Sequence, residues 1–217
     1  MVLTKNLTLP PVCRREVLRY AGCRQETEDM ALLLDACMAE AEPVLSGRVC
    51  WREMPISVEN GVCCLDGVKL FSRDLAKNLS GCSRAAVFAA TVGAPLDRLI
   101  ARCGVVSPAK AVMLQALGAE RVEALCDAFC AELAAQTGMG LRPRFSPGYG
   151  DLPLEAQRTM FSLLEPMRHI GLSLTDSLLM SPTKSVTAFV GLTEEKQEKQ
   201  NKCALCDKKD CTFRGVF

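Results

Sequence analysis

Two stretches of the chain concentrate groups capable of chemistry. The first is Arg142-Pro143-Arg144-Phe145-Ser146-Pro147-Gly148-Tyr149. Its two guanidinium forks suit a carboxylate or a phosphate, and Tyr149 offers an aromatic face to a base or a cation. Gly148 and Gly150 let backbone approach a ligand closely, while Pro143, Pro147 and Pro153 stiffen the segment. A Pro-rich surface turn with solvated arginines has the same composition, so the residue types alone leave both readings open. The second stretch is Cys203-x2-Cys206-x4-Cys211, three thiols within nine residues behind the polar run EEKQEKQNK. Thiolates at this spacing can hold one zinc ion or an iron–sulfur cluster. They lack a fourth cysteine nearby, for which Cys63-Cys64 is a source, and a redox or flexible thiol tail is the alternative.

The rest of the composition removes other chemistries. The only histidine is His169, so Ser–His or Cys–His catalysis and His-rich metal sites have no basis, and no catalytic residue is assigned. His169 follows an apolar helix beside Gly171, where a C-terminal cap is expected. Ser181-Pro182-Thr183-Lys184-Ser185 resembles the end of a phosphate loop but has no Gly-x4-Gly lead-in. Lys and Arg number 26 against 25 Asp and Glu, a net charge of +1, which argues against nucleic acid as a partner. The 13 cysteines accompany no apolar leader, so the expected setting is the reducing cytoplasm and the thiols are not a disulfide framework. No run reaches the ~18 apolar residues of a membrane span.

The elements that must position these groups are legible in the hydrophobic pattern. Met30, Leu33, Leu34, Cys37, Met38 and Ala41 form one face of a helix over 25–42. Asn60-Gly61 and Asp66-Gly67 mark hairpin turns between the extended runs of 47–71. Ser72 caps a short helix that Gly81 ends. The run Ala85–Val92 suits a strand covered on both faces. A helix from Pro95 is expected to close at Gly104, and Ser107-Pro108 opens a long one to about Gln136. That helix puts Val122, Leu125, Cys126, Phe129, Cys130 and Leu133 on one face. Residues 137–153 show no periodicity and read as a loop, long enough to be functional or disordered. One helix from Leu154 to about Arg168 and two extended segments, Ser173–Met180 and Ser185–Leu192, follow. The nine methionines are scattered gap-fillers.

The segment Gly140-Leu141-Arg142-Pro143-Arg144-Phe145-Ser146-Pro147-Gly148-Tyr149, with Leu178-Leu179-Met180-Ser181-Pro182 and Ser185-Val186 about thirty residues on, resembles the activation domain of cobalamin-dependent methionine synthase. The resemblance covers roughly residues 80–192. It implies an α+β fold with a curved, mainly antiparallel sheet, helices packed around it and the ligand loop at its edge. Residues 1–193 would form the activation-like domain, 194–202 a polar linker and 203–217 the Cys-rich tail. Carried over by position, Arg144 would bind the carboxylate of S-adenosylmethionine. Backbone at Ser146 and Gly148 would line the ligand, Tyr149 would close over it, and Asp127 (or Glu123 one turn earlier) would face its amino group. The family's segment after the loop tyrosine is replaced by Gly150-Asp151-Leu152-Pro153-Leu154-Glu155, and Val190 stands where a tyrosine is usual.

The function so implied is reductive reactivation, as the methyltransferase component, of cobalamin carried by a separate methionine synthase. That partner would be transient, and an electron donor such as a flavodoxin or ferredoxin would supply reducing equivalents. The chain has no Asp-x-His-x-x-Gly corrin signature of its own. The competing reading is a small metal- or cluster-carrying redox adaptor working through Cys203, Cys206 and Cys211.

Overall fold

A computed structural model of the chain describes residues 1–23 and 25–195. The N-terminal strand β1 (Leu3–Leu7) leads through an extended segment to helices α1 (Arg14–Tyr20) and α2 (Glu28–Ala41). Thr27 caps α2, its hydroxyl accepting from the Met30 N–H. The long strand β2 (Gly47–Glu59) then turns at Asn60-Gly61 into β3 (Val62–Leu65) and at Asp66-Gly67 into β4 (Val68–Phe71). Asn60 and Asp66 both adopt positive φ, as the two-residue turns require. Next come α3 (Arg73–Asn78), β5 (Arg84–Thr91), α4 (Ala94–Val106) and α5 (Pro108–Thr137). The chain continues with β6 (Gly140–Leu141), α6 (Ala156–Leu164), α7 (Pro166–Ile170), β7 (Ser173–Leu174), β8 (Met180–Ser181) and β9 (Ser185–Thr193).

The main sheet runs β4-β3-β2-β5-β9-β6, and β1 pairs with β2. Every pairing is antiparallel. β1 and β3 occupy successive halves of one edge of β2, at Gly47–Trp51 and Ile56–Glu59. Strand alternation divides the apolar side chains between two cores. Val49, Trp51, Phe88, Ala90, Ala188 and Val190 meet α1, α2, α4 and α5 on one face. Cys50, Met54, Val87, Ala89 and Phe189 meet α3, α6 and α7 on the other. The expected α+β class with an antiparallel sheet therefore holds, and β5 is covered on both faces as its composition indicates.

The spine of the first core is α5, about 45 Å long at 1.5 Å per residue. Phe129 projects from it between Phe88 and Trp51, with ring centroids 4.8 and 5.3 Å away. Cys37 and Cys126 are fully buried thiols, and desolvation pushes the Cys37 thiol up to about 11. They are core residues, as the helical spacing indicates.

Four local expectations are corrected. α4 passes through Gly104 to Val106, because its apolar face continues to Cys103 and the chain leaves the helix only at Ser107-Pro108. The single helix from Leu154 to Arg168 is two: Glu165 takes φ 44 ahead of Pro166, whose ring cannot continue α6. Ser173–Met180 is not one extended segment but the hairpin β7–β8. Residues 137–153 are not wholly irregular, since Gly140–Leu141 form the edge strand β6 along β9 and Phe145 bridges to Phe189. The tail thiols Cys203, Cys206 and Cys211, and residues 196–202 of the polar linker, lie outside the described residues.

Candidate ligand-binding site

The site is assembled where α5 ends and the chain turns back along β9. Gly138 in the left-handed region ends the helix, its N–H donating to the Ala134 carbonyl at 2.9 Å. Leu141 then pairs with Leu192, whereas Phe145 pairs with Phe189. Four residue steps on the edge segment thus match three on β9, which is a one-residue bulge. Pro143, with no N–H to give to a ladder, sits inside it.

This bulge decides what the two arginines do. In a regular strand Arg142 and Arg144 would share a face. The extra residue sends them to opposite sides of the sheet. Arg142 crosses towards α3, donating to the Ser80 carbonyl at 3.1 Å. It passes over Gly191, where a Cβ would stand 2.5 Å from the Cys82 sulfur and 3.1 Å from Arg142 Cγ. Arg144 turns to α5, where Nη2 donates to Glu123 at 2.6 Å and Nη1 to Asp127 at 2.5 Å. Glu123 and Asp127 are an i, i+4 pair of like charges that destabilises a bare helix, and Arg144 neutralises it. The guanidinium side chain is only 11% exposed, against 45% and 74% for its two partners. Burial works against its charge, but Cys126, Asp127 and Glu123 outweigh that, and the Arg144 pKa is raised. Arg144 is therefore not the free surface-loop arginine its setting suggests. It is a largely covered cation whose fork is already engaged.

Beyond Phe145 the loop folds back on itself. Tyr149 N–H donates to the Ser146 carbonyl at 3.2 Å, and Gly148 N–H to the Leu152 carbonyl at 2.9 Å. The turn leaves the Tyr149 ring 69% exposed. The pair Gly150-Asp151 that follows the tyrosine has a structural role. Asp151 accepts from the Ser72 hydroxyl and from the backbone N–H groups of Arg73 (2.9 Å) and Asp74 (3.2 Å). These bonds hold its carboxyl below the ordinary range. Asp151 N–H returns a bond to Asp74 at 3.2 Å, and a Cβ on Gly150 would collide with that carboxylate. The loop is thereby pinned to the start of α3.

Of the residues singled out by sequence, the structure brings Arg144 and Asp127 into direct contact and places Ser146, Gly148 and Tyr149 on the adjoining turn. Glu123 joins them with a bond of 2.6 Å, a pairing its i−4 spacing could signal. Asp151 and the bulge carry no local signal. Val190 is fully buried in the α5-side core, with Phe189 buried on the opposite face. In the segment that resembles a phosphate loop, the N–H and hydroxyl of Thr183 both donate to Asp97 at 2.7 Å, and the Lys184 stem lies against Gly118. His169 is in the last turn of α7 ahead of Gly171. Cys63 is buried, and no cluster of three or more His, Cys, Asp or Glu among the described residues could hold a metal ion. No helix among them is long and apolar enough to cross a membrane.

Comparison with known proteins bears on the same loop. No curated protein matches the chain in sequence. A family model described as vitamin B12 dependent methionine synthase, activation domain, matches residues 127–210. Among solved structures, the crystal structure of the MetH reactivation domain bound to AdoHcy superposes with a TM-score of 0.67 at 16% identity. The superposition covers 91% of this chain and 80% of that one. The matched residues begin at Asp127 and include Arg144 and Tyr149. The resemblance carried by the loop motif thus holds: over residues 127–210 the chain is similar in sequence to the activation domain of vitamin B12 dependent methionine synthase, and its fold is that of a MetH reactivation domain.

Proposed function

We propose that the chain binds S-adenosylmethionine at the Arg144 loop and serves the reductive methylation of oxidised cobalamin carried by a separate methionine synthase. The observation that carries this reading is the Arg144–Glu123–Asp127 cluster beside the Tyr149 turn. An α-amino acid brings one carboxylate and one ammonium. The carboxylate can take the Arg144 fork, and the ammonium can take the carboxylate it displaces. A zwitterion leaves no charge stranded, whereas a lone anion or a lone cation would. The residues present therefore fit the amino-acid end of S-adenosylmethionine, and the exposed Tyr149 ring suits its sulfonium or its adenine.

The bound ligand supplies an activated sulfonium methyl for nucleophilic attack. The chain's own residues need move no proton, consistent with a site that lacks histidine. Their work is orientation. Arg144, Glu123 and Asp127 fix the amino-acid end, and Asp151 fixes the turn that carries Tyr149. The solved reactivation domain of the same fold contains AdoHcy, the demethylated counterpart, which supports the assignment. In this reading the methionine synthase partner associates transiently, since its cobalamin must also meet other methyl donors and acceptors, and a flavodoxin or ferredoxin delivers the electron. The test combines calorimetric titration of S-adenosylmethionine with an assay of methylcobalamin formation from the oxidised synthase and a reductant. Saturable binding and a rate that depends on this chain are expected. An equal rate without the chain refutes the role.

A further inference from the structure

The outer surface of α4 and of the first turns of α5 is free of acidic residues. From Arg98 to Ala119 the sequence holds Arg98, Arg102 and Lys110 and no Asp or Glu, in a chain whose net charge is only +1. Leu96, Leu99, Ile100 and Cys103 form the buried face of α4. Arg98, Arg102 and Val105, at i, i+4 and i+7, therefore share its outward face. Both arginines are exposed, and neither forms an ion pair or a hydrogen bond among the described residues. The acid just before them, Asp97, is occupied by Thr183, whose N–H and hydroxyl both donate to it at 2.7 Å. Lys110 is paired with Glu40. Arg98 and Arg102 are thus the uncompensated charges of this surface.

Apolar side chains accompany them. Val105, Val106 and Val112 are 86, 76 and 57% exposed, on either side of the Ser107-Pro108 corner that joins the two helices. Two consecutive valines in the last turn add little to α4 itself, because valine is a weak helix former and these bury little surface. Apolar side chains flanked by arginine, with acids absent, have the composition of a protein interface. Charge selects what covers it. A second copy of the chain would set the arginines against their own like charges in an isologous contact. Two free cations are too few for a nucleic-acid backbone, which takes several phosphate contacts. An acidic protein surface fits both the charge and the valines. The patch also stands apart from the Arg144 site, since Val112 precedes Glu123 by about 16 Å along α5. A partner can hold it while the loop engages and leaves the cobalamin.

We propose that this α4–α5 corner docks an acidic surface of the cobalamin-bearing methionine synthase, with Arg98 and Arg102 pairing its carboxylates and the three valines covered between them. The choice of partner rests on the function proposed above. Association of the full chain with the synthase is measured by biolayer interferometry from about 0.05 to about 0.5 M salt. The wild-type Kd is expected to rise about tenfold or more over that range. Arg98→Glu combined with Arg102→Glu is expected to weaken association about tenfold or more at low salt. Val105→Ser combined with Val106→Ser is expected to weaken it several-fold and to keep the salt dependence. Melting temperature and S-adenosylmethionine affinity should be nearly unchanged in both variants. Should the charge-reversed chain fail to fold, the salt series and the serine variant decide. Salt-independent association, or a charge-reversed chain that binds as tightly as wild type, overturns the docking surface. The reactivation role then still stands if methylcobalamin formation depends on the chain. A wild-type chain that never associates with the synthase overturns both.

Discussion

Arg144→Ala tests the site most directly, and its magnitude follows from the geometry. A charge-assisted, bidentate carboxylate contact is worth about 2–3 kcal/mol. In the free chain, however, the fork is already engaged by Glu123 and Asp127, and the ligand must displace one of them. Both acids are substantially exposed, so each pair is worth only about 0.2–1 kcal/mol. Subtracting one leaves roughly 1–2.8 kcal/mol, a weakening of about 5- to 110-fold in Kd. The same exposure means that the two carboxylates return to water when Arg144 is removed, so the fold should survive with a small loss of stability. Arg142→Ala should leave affinity within about twofold, because the bulge places its guanidinium on the other face of the sheet against Ser80. Calorimetric titration of S-adenosylmethionine into the two variants, with melting curves alongside, makes the measurement. Equal losses in both, or a larger loss in Arg142→Ala, would refute the register deduced here and the role given to Arg144.

Asp151→Ala should free the turn from α3, speed hydrogen exchange at residues 146–152 and weaken S-adenosylmethionine several-fold, roughly as loss of a capping bond predicts. Its carboxyl is held below the ordinary 3.8 by the Ser72 hydroxyl and the Arg73 N–H. The contribution is therefore complete above that value and disappears only as pH falls below it, so the protection of loop amides relative to their intrinsic exchange rates should be flat from pH 5 to 8 and fall in acid. Glu120→Ala should destabilise the chain by about 3–5 kcal/mol in urea denaturation, since it strands a buried Arg121. Replacing both residues by apolar ones should recover much of that loss. If the tail thiols bind metal, anaerobically purified chain should contain near-stoichiometric zinc or iron, and Cys206→Ser should remove it without altering S-adenosylmethionine affinity.

The elements of this chain and its candidate loop were readable in sequence because their signals are local. Helical spacing marked the buried face of α5, Asn60-Gly61 and Asp66-Gly67 marked turns that need positive φ, and an unbroken apolar run marked the central strand β5. The residue types of the Arg144 loop and the resemblance they carry likewise require no coordinates. Tertiary structure alone decided how those residues act. The side of the sheet that each arginine faces depends on a bulge set by pairing with β9, some fifty residues away, and strand register reverses with a single added residue. The engagement of Arg144 by two carboxylates and the anchoring of Asp151 on α3 both join segments distant along the chain. Such contacts are fixed by packing, which composition and periodicity do not encode one residue at a time.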